Sequence, residues 1–229
     1  MKHEIIHQDF YETLPRKMDF SCVRAIHERD ELKSLVTSSR MYRPACAFAL
    51  PSMTDDLAKQ LKDLLEVKIG GVISFPSGGD TPESKVFQAR ELIGKGCGEL
   101  DMVMNLTFLK LERYDSLLDD IARVVNVAER IPVKIIIEAS LLTEDEICRA
   151  SELAVRAGAA FVKTGTGWAG PATARQVELI YQTIGDTAKI KAAGGIRTLE
   201  TIKELYKAGC DRFGVGVGPA NLILNELKI

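Results

Sequence analysis

Short apolar or β-branched runs alternate with longer amphipathic stretches from one end of the chain to the other, with no Ser/Gly-rich linker or low-complexity segment between them. That alternation is the mark of an α/β protein, in which strands and helices follow one another. It predicts eight strands, near residues 19–23, 45–50, 70–75, 99–104, 132–138, 160–164, 189–193 and 211–215, the first carrying the weakest pattern. Helix-start signals fall between them. Ser52-x-x-Asp55 and Thr143-x-x-Glu146 have the form of capping boxes, and Thr81-Pro82 that of a cap followed by proline in the first turn. Helices are therefore expected near 53–66, 82–95 and 144–157.

Glycine marks three helix ends, at Lys95-Gly96, Ala157-Gly158 and Ala208-Gly209, each leading straight into a strand. In all three the fifth residue after the glycine is chemically notable: Asp101, Lys163 and Gly214. A repeated helix-glycine-strand unit sets equivalent residues at equivalent heights on parallel strands, and in a barrel those heights lie toward the C-terminal rim, where active sites are built. The chain has 229 residues, near the roughly 250 of one TIM barrel. The expected fold is a (β/α)8 barrel, one domain over 1–229. Periodicity alone does not separate a closed barrel from an open doubly wound sheet, so the motifs must decide.

Charge is balanced, 30 Lys+Arg against 32 Asp+Glu, so no global field points to nucleic acid or an anionic membrane. The longest apolar runs, such as Ile135-Ile136-Ile137, are far shorter than a membrane span, and the N-terminus has no apolar signal-peptide core. A cytoplasmic protein acting on a small molecule is the expectation, with a homo-oligomer left open. Cys22, Cys46, Cys97, Cys148 and Cys210 are odd in number and widely spaced, which reads as reduced, mostly buried thiols. His3, His7 and His27 form no ligand set with carboxylates, so no catalytic metal is expected, and nothing calls for another cofactor.

Val162-Lys163-Thr164-Gly165-Thr166-Gly167 puts a lysine at the end of an apolar strand. Alone, such a lysine is most often a strand terminus reaching for water. The next strand, Lys189-Ile190-Lys191-Ala192-Ala193-Gly194-Gly195-Ile196-Arg197, carries a second one near its end. If both point inward, strands about 4.8 Å apart hold two ammonium groups close together. Only a neutral lysine attacks a carbonyl carbon. Lowering a lysine pKa from about 10.4 to about 7 takes roughly 4.6 kcal/mol. A like charge at about 5 Å, with an effective dielectric near 20, gives roughly 3.3 kcal/mol, and desolvation the remainder. Lys163 is the nucleophile candidate and Lys191 its electrostatic partner. Asp101 is either a buried acid paired with these lysines and chemically idle, or a proton shuttle working with Lys191. Glu138, closing its strand, reads as structural.

Two glycine-rich stretches follow, Ala192-Ala193-Gly194-Gly195-Ile196-Arg197 and Arg212-Phe213-Gly214-Val215-Gly216-Val217-Gly218-Pro219. Loops after the seventh and eighth strands, with a helix N-terminus, are the usual phosphate site of a TIM barrel. A dinucleotide fold is disfavoured, because too little chain remains for a ribose-binding acid about 20 residues on. Trp168 reads equally as a lid or as loop packing.

The motifs around Lys163, Lys191, Asp101 and Lys134–Glu138, with Phe75-Pro76-Ser77-Gly78, resemble those of the deoxyribose-phosphate aldolase family from about residue 70 to 216. Met18-Asp19-Phe20-Ser21 is similar to its early Asp-His-Thr. The resemblance implies a cofactor-free class I aldolase on a TIM barrel, reversibly splitting 2-deoxyribose 5-phosphate into acetaldehyde and glyceraldehyde 3-phosphate. It implies that Lys163 forms the Schiff base, that Asp101 and Lys191 assist proton transfer, and that Gly167, Gly194, Gly195, Arg197, Gly214 and Gly216 surround the phosphate end. Departures from the family pattern are Gly165 in place of serine, Gly214-Val215-Gly216-Val217 where Gly-x-Ser-Ser is usual, Phe48-Ala49-Leu50-Pro51 where Cys-Val-Asn-Pro is common, and Phe20 and Ser21 for His and Thr. The alternatives are an aldolase of the same mechanism for another hydroxy-carbonyl substrate, and a non-catalytic barrel that binds a sugar phosphate.

Overall fold

The computed structural model describes residues 6–26 and 30–227. Eight parallel strands close into a barrel in sequence order. They are β1 (Met18–Cys22), β2 (Cys46–Ala49), β3 (Lys68–Ile73), β4 (Glu99–Val103), β5 (Val133–Ile136), β6 (Phe161–Lys163), β7 (Lys189–Ala193) and β8 (Arg212–Gly216), with helices between them. All eight expected strands are present, β1, β3 and β8 shifted by one or two residues and most of the others shorter than expected. This is a (β/α)8 TIM barrel.

The register explains which residues share a level. Partners run Gly214↔Asp19↔Cys46, Phe48↔Gly70↔Glu99, Asp101↔Lys134↔Phe161 and Lys163↔Lys191↔Arg212. Each run ends two residues below the start of the next. Four such steps make up the eight-residue stagger of a closed eight-stranded barrel. Phe48, Asp101, Lys163 and Gly214 therefore form one layer from alternate strands. Asp19, Gly70, Lys134 and Lys191 form the layer beneath it, and Cys46, Glu99, Phe161 and Arg212 the next. The expected equal height of Asp101, Lys163 and Gly214 follows directly. Most TIM-barrel interiors are filled by Val, Ile and Leu; here these layers are largely charged.

The glycines that end helices, Gly96, Gly158 and Gly209, all have positive φ, the conformation a helix C-terminus uses to turn back into a strand. Thr143 forms the expected capping box with Glu146. Thr81 Oγ1 accepts from the Ser84 N–H at 3.3 Å, with Pro82 in the first turn of Pro82–Gly94. The Ser52 box does not form. Pro51 opens a 3-10 turn in which the Met53 N–H donates to Leu50 O at 2.8 Å, leaving Ser52 inside the turn, and the helix begins at Thr54 without a side-chain cap. Cys22, Cys46, Cys97 and Cys210 are buried free thiols and Cys148 is half-buried. Among the described residues, no helix is long and apolar enough to cross a membrane.

Candidate active site

Lys163 and Lys191 do point inward, and they meet on one atom. Asp101 Oδ2 accepts from Lys163 Nζ at 2.8 Å and from Lys191 Nζ at 2.7 Å, while Oδ1 accepts from Lys134 Nζ at 3.0 Å. The network continues down the barrel axis. Lys134 Nζ lies 2.5 Å from Glu99, and Arg212 donates to Asp19 Oδ1 at 2.6 Å. Lys191 Nζ stands 2.6 Å from Asp19 Oδ2, an ion-pair distance without hydrogen-bond alignment.

Burial drives the electrostatics, and the neighbours decide the outcome. It pushes the Asp101 carboxyl up, but the ammonium groups of Lys134, Lys163 and Lys191 together hold it well below the usual carboxylate range. It pushes Lys134 down, yet Asp101, Asp19 and Glu99 raise that lysine above its ordinary value. Lys163 goes the other way, to about 8: burial is the largest cause, Asp101 opposes it, and the charge of Lys191 adds to it. From sequence, the neighbouring charge is expected to have the larger share. The order is reversed because Lys163 Nζ is enclosed on a carboxylate that both lysines share.

A cavity of about 870 Å³ adjoins this cluster at the C-terminal ends of the strands. Lys163, Lys191, Asp101, Gly167, Gly194, Gly195, Arg197, Gly214 and Gly216 all line it. They do not share one role in its shape. Gly214 sits at the lysine level, where a Cβ would stand 3.1 Å from Lys191 Cε. Gly216 is the N-cap of the helix Val217–Glu226, whose first turn contains Pro219. Gly194 and Gly195, both at positive φ, carry the loop after β7. The Arg197 guanidinium is exposed and pairs with no other described residue.

The loop after β6 is held from below. The Glu138 carboxylate accepts from Thr166 Oγ1 at 2.6 Å and from the Thr166 N–H at 3.1 Å, which supports its structural reading. A Cβ on Gly165 would stand 2.6 Å from Glu138 Oε1, so glycine fits this carboxylate position and a serine would require the carboxylate to shift. Trp168 extends from the loop to both flanks of the mouth: its indole N–H donates to Val23 O at 3.3 Å, and its ring meets Phe75 edge-on at 6.0 Å. It is a bridge across the cavity rim rather than ordinary loop packing. His3 and His27 lie outside the described residues, and His7 is exposed.

Sequence reasoning passed over Glu99, Lys134, Arg212 and Phe48 as site residues and left Asp19 without a role. The signal was alternation: Glu99 and Arg212 lie two residues before Asp101 and Gly214, hence on the same inward face.

A family model described as DeoC/LacD family aldolase matches residues 22–220. The chain is 39% identical over 208 residues to a deoxyribose-phosphate aldolase of Exiguobacterium sp., covering 90% of this chain and 94% of that one. It is 38% identical over 216 residues to a deoxyribose-phosphate aldolase of Klebsiella pneumoniae, covering 93% and 87%. Among solved structures it superposes on an aldolase called QR15 with a TM-score of 0.87 at 31% identity, covering 93% and 95%. It also superposes on the tetrameric deoxyribose phosphate aldolase of Aeropyrum pernix with a TM-score of 0.86 at 26% identity, covering 95% and 92%. Matching over nearly its whole barrel, the chain belongs to the DeoC/LacD family of aldolases.

Proposed function

We propose that this protein is a class I aldolase that cleaves 2-deoxyribose 5-phosphate reversibly to acetaldehyde and glyceraldehyde 3-phosphate through a Schiff base on Lys163. The observation that carries the reading is the sharing of one buried carboxylate oxygen by two lysines, of which Lys163 borders the cavity with its proton affinity lowered to about 8. Neutral Lys163 Nζ attacks the substrate C1, and loss of water leaves an iminium. Removal of the C3 hydroxyl proton breaks the C2–C3 bond, whose electron pair flows into the iminium to give an enamine. Glyceraldehyde 3-phosphate leaves. Protonation of the enamine at C2 and hydrolysis release acetaldehyde and the free lysine. Asp101 and Lys191 relay the protons through water. Gly167, Gly194, Gly195, Gly216 and Arg197 receive the distal phosphate beside the last helix N-terminus, and Gly214 leaves room for Lys191.

Borohydride reduction with acetaldehyde, without added metal or cofactor, is expected to leave an ethyl group on Lys163, read by peptide mass spectrometry. Labelling at Lys191 alone, or at neither lysine with any competent donor, overturns the assignment.

A second reading keeps the mechanism and changes the substrate to another hydroxy-aldehyde, with or without phosphate. It is favoured by the distal lining, where Gly216 and Val217 supply no hydroxyl and Asp30 and Glu31 contribute carboxylates. Retro-aldol rates on phosphorylated and unphosphorylated sugars separate the two. A cytoplasmic homo-oligomer belongs to the same proposal, and light scattering of the purified chain gives its mass.

A further inference from the structure

Asp101 Oδ2 lies at 2.8 Å from Lys163 Nζ and 2.7 Å from Lys191 Nζ, so that atom does not by itself decide which lysine gives up its proton. Two differences lie on the Lys191 side: Lys191 Nζ also stands 2.6 Å from Asp19 Oδ2, and Lys191 faces an aromatic ring. Its Nζ stands 4.3 Å from the centroid of the Phe48 ring, and Lys134 Nζ stands 5.0 Å from the same ring. An aromatic face attracts an ammonium and not a neutral amine, most strongly where water is excluded. Phe48 and Lys191 are both about 2% exposed. Among the described residues, no aromatic face stands over Lys163. The other charged groups of the network around Lys191 are Asp19 on β1, Glu99 and Asp101 on β4, Lys134 on β5, Lys163 on β6 and Arg212 on β8.

The ring's seat has a counterpart in the neighbouring strand. A Cβ on Gly70 would lie 2.2 Å from Phe48 Cε1, so the side chain at 48 and its absence at 70 form one unit. Phe48 also belongs to the barrel layer of Asp101 and Lys163, and it lines the cavity.

We propose that Phe48 is a positioning residue which, through its contact with Lys191, adds to the pull of Asp19 in keeping that lysine an ammonium and so favours Lys163 as the nucleophile. The inference rests on the Schiff-base reading above. It accords with the lowered proton affinity of Lys163, to which the retained charge of Lys191 contributes. Without the ring, the two amines compete for aldehyde once the pH is high enough to free both.

Two variants separate the ring's face from its volume. Phe48→Leu removes the face, and Phe48→Leu with Gly70→Ala refills part of the space with a methyl group. Each is treated with acetaldehyde and borohydride at alkaline pH, and the ratio of ethyl label at Lys191 to that at Lys163 is read by peptide mass spectrometry. Both variants are expected to raise this ratio about tenfold over the native chain, the scale of a desolvated cation–π contact. Return of the double variant to the native ratio makes packing the cause and overturns the proposal, as does an unchanged ratio in both. If Phe48→Leu fails to fold, the double variant carries the test. Reductive methylation with formaldehyde and cyanoborohydride compares the same two lysines without aldolase chemistry. A native chain with no ethyl label at Lys163 therefore refutes the Schiff-base reading, while the methylation ratio still tests Phe48.

Discussion

Lys85 and Asp120 meet at 2.6 Å between the helices Pro82–Gly94 and Tyr114–Ala128, both fully buried, one cation facing one anion. Inside the barrel three lysines converge on Asp101 beside a cavity. The helix pair relaxes toward neutrality on both sides: burial pulls Lys85 down and pushes Asp120 up, more than their mutual attraction opposes. In the barrel the members part company, with Asp101 driven down, Lys134 up and Lys163 down. Burial of charge is common to both places. What differs is an excess of cations around one carboxylate, with Lys163, which lines the cavity, pushed down.

The sharpest break in the comparison is to remove one lysine from each. Lys163→Leu is expected to abolish retro-aldol turnover, a loss of more than about 10⁴-fold, with the fold retained by circular dichroism. Lys85→Met should instead cost about 3–5 kcal/mol of stability in denaturant titration while the folded fraction keeps its kcat. Lys85→Met with Asp120→Leu should recover the stability, since a matched apolar pair leaves no orphan charge. A Lys85 variant that is stable but inactive would erase the distinction.

Lys191→Leu tests the electrostatics within the barrel. The reactive form of Lys163 is the free amine, so Schiff-base formation rises with pH through about 8. Removing the like charge raises the proton affinity of Lys163, and this limb should move up by about one to two pH units, with turnover falling about 10²-fold or more. An unmoved limb in a folded variant would show that the two amines do not communicate.

At the distal end the expected effect is smaller. Gly216 has φ of −60° and no atom closer than 3.8 Å to a Cβ there, so a side chain fits. Gly216→Ser with Val217→Ser should raise kcat/KM for 2-deoxyribose 5-phosphate over 2-deoxyribose by about tenfold or more, given roughly 1.5–3 kcal/mol per hydrogen bond to a charged group. An unchanged ratio beside a strong native preference for the phosphate would show that backbone N–H groups and Arg197 suffice. Smallest is the rim. Trp168→Phe forfeits the hydrogen bond to Val23 O, worth about 0.5–1.5 kcal/mol, so KM should rise about 2- to 10-fold with kcat held. As Trp168 is the chain's one tryptophan, native emission should change as substrate fills the cavity, and constant emission at saturation would place the ligand elsewhere.

The barrel was readable because its signals are local. Gly96, Gly158 and Gly209 mark where helices turn into strands, and β-branched runs mark the strands themselves. Lys163, Lys191 and Asp101 stood out as charges inside apolar runs. Lys134 did not, since a lysine at the start of Lys134-Ile135-Ile136-Ile137 looks like a strand end reaching solvent. Only the stagger accumulated over β4, β5 and β6 turns it toward Asp101, and stagger is a property of closure. Phe48 was hidden for the same reason: its meaning depends on Gly70 in the next strand and on two lysines far along the chain. Ser52 misled because proline one residue earlier imposes a tighter turn than the capping pattern assumes.

The shared carboxylate at Asp101 has a consequence for the direction of the chemistry. Asp19, Glu99 and Asp101 supply three formal negative charges, and Lys134, Lys163, Lys191 and Arg212 four positive ones. The tally is even when one of the four cations is neutral, as Lys163 is in its reactive form. In the proposed cycle the resting amine and the enamine are thus the states in which the barrel interior is electrically at rest. The iminium between them carries one charge too many. It is discharged by the breaking of the carbon–carbon bond with loss of the C3 hydroxyl proton in one direction, and in the other by water's attack on the iminium carbon, which frees the amine, the aldehyde and a proton.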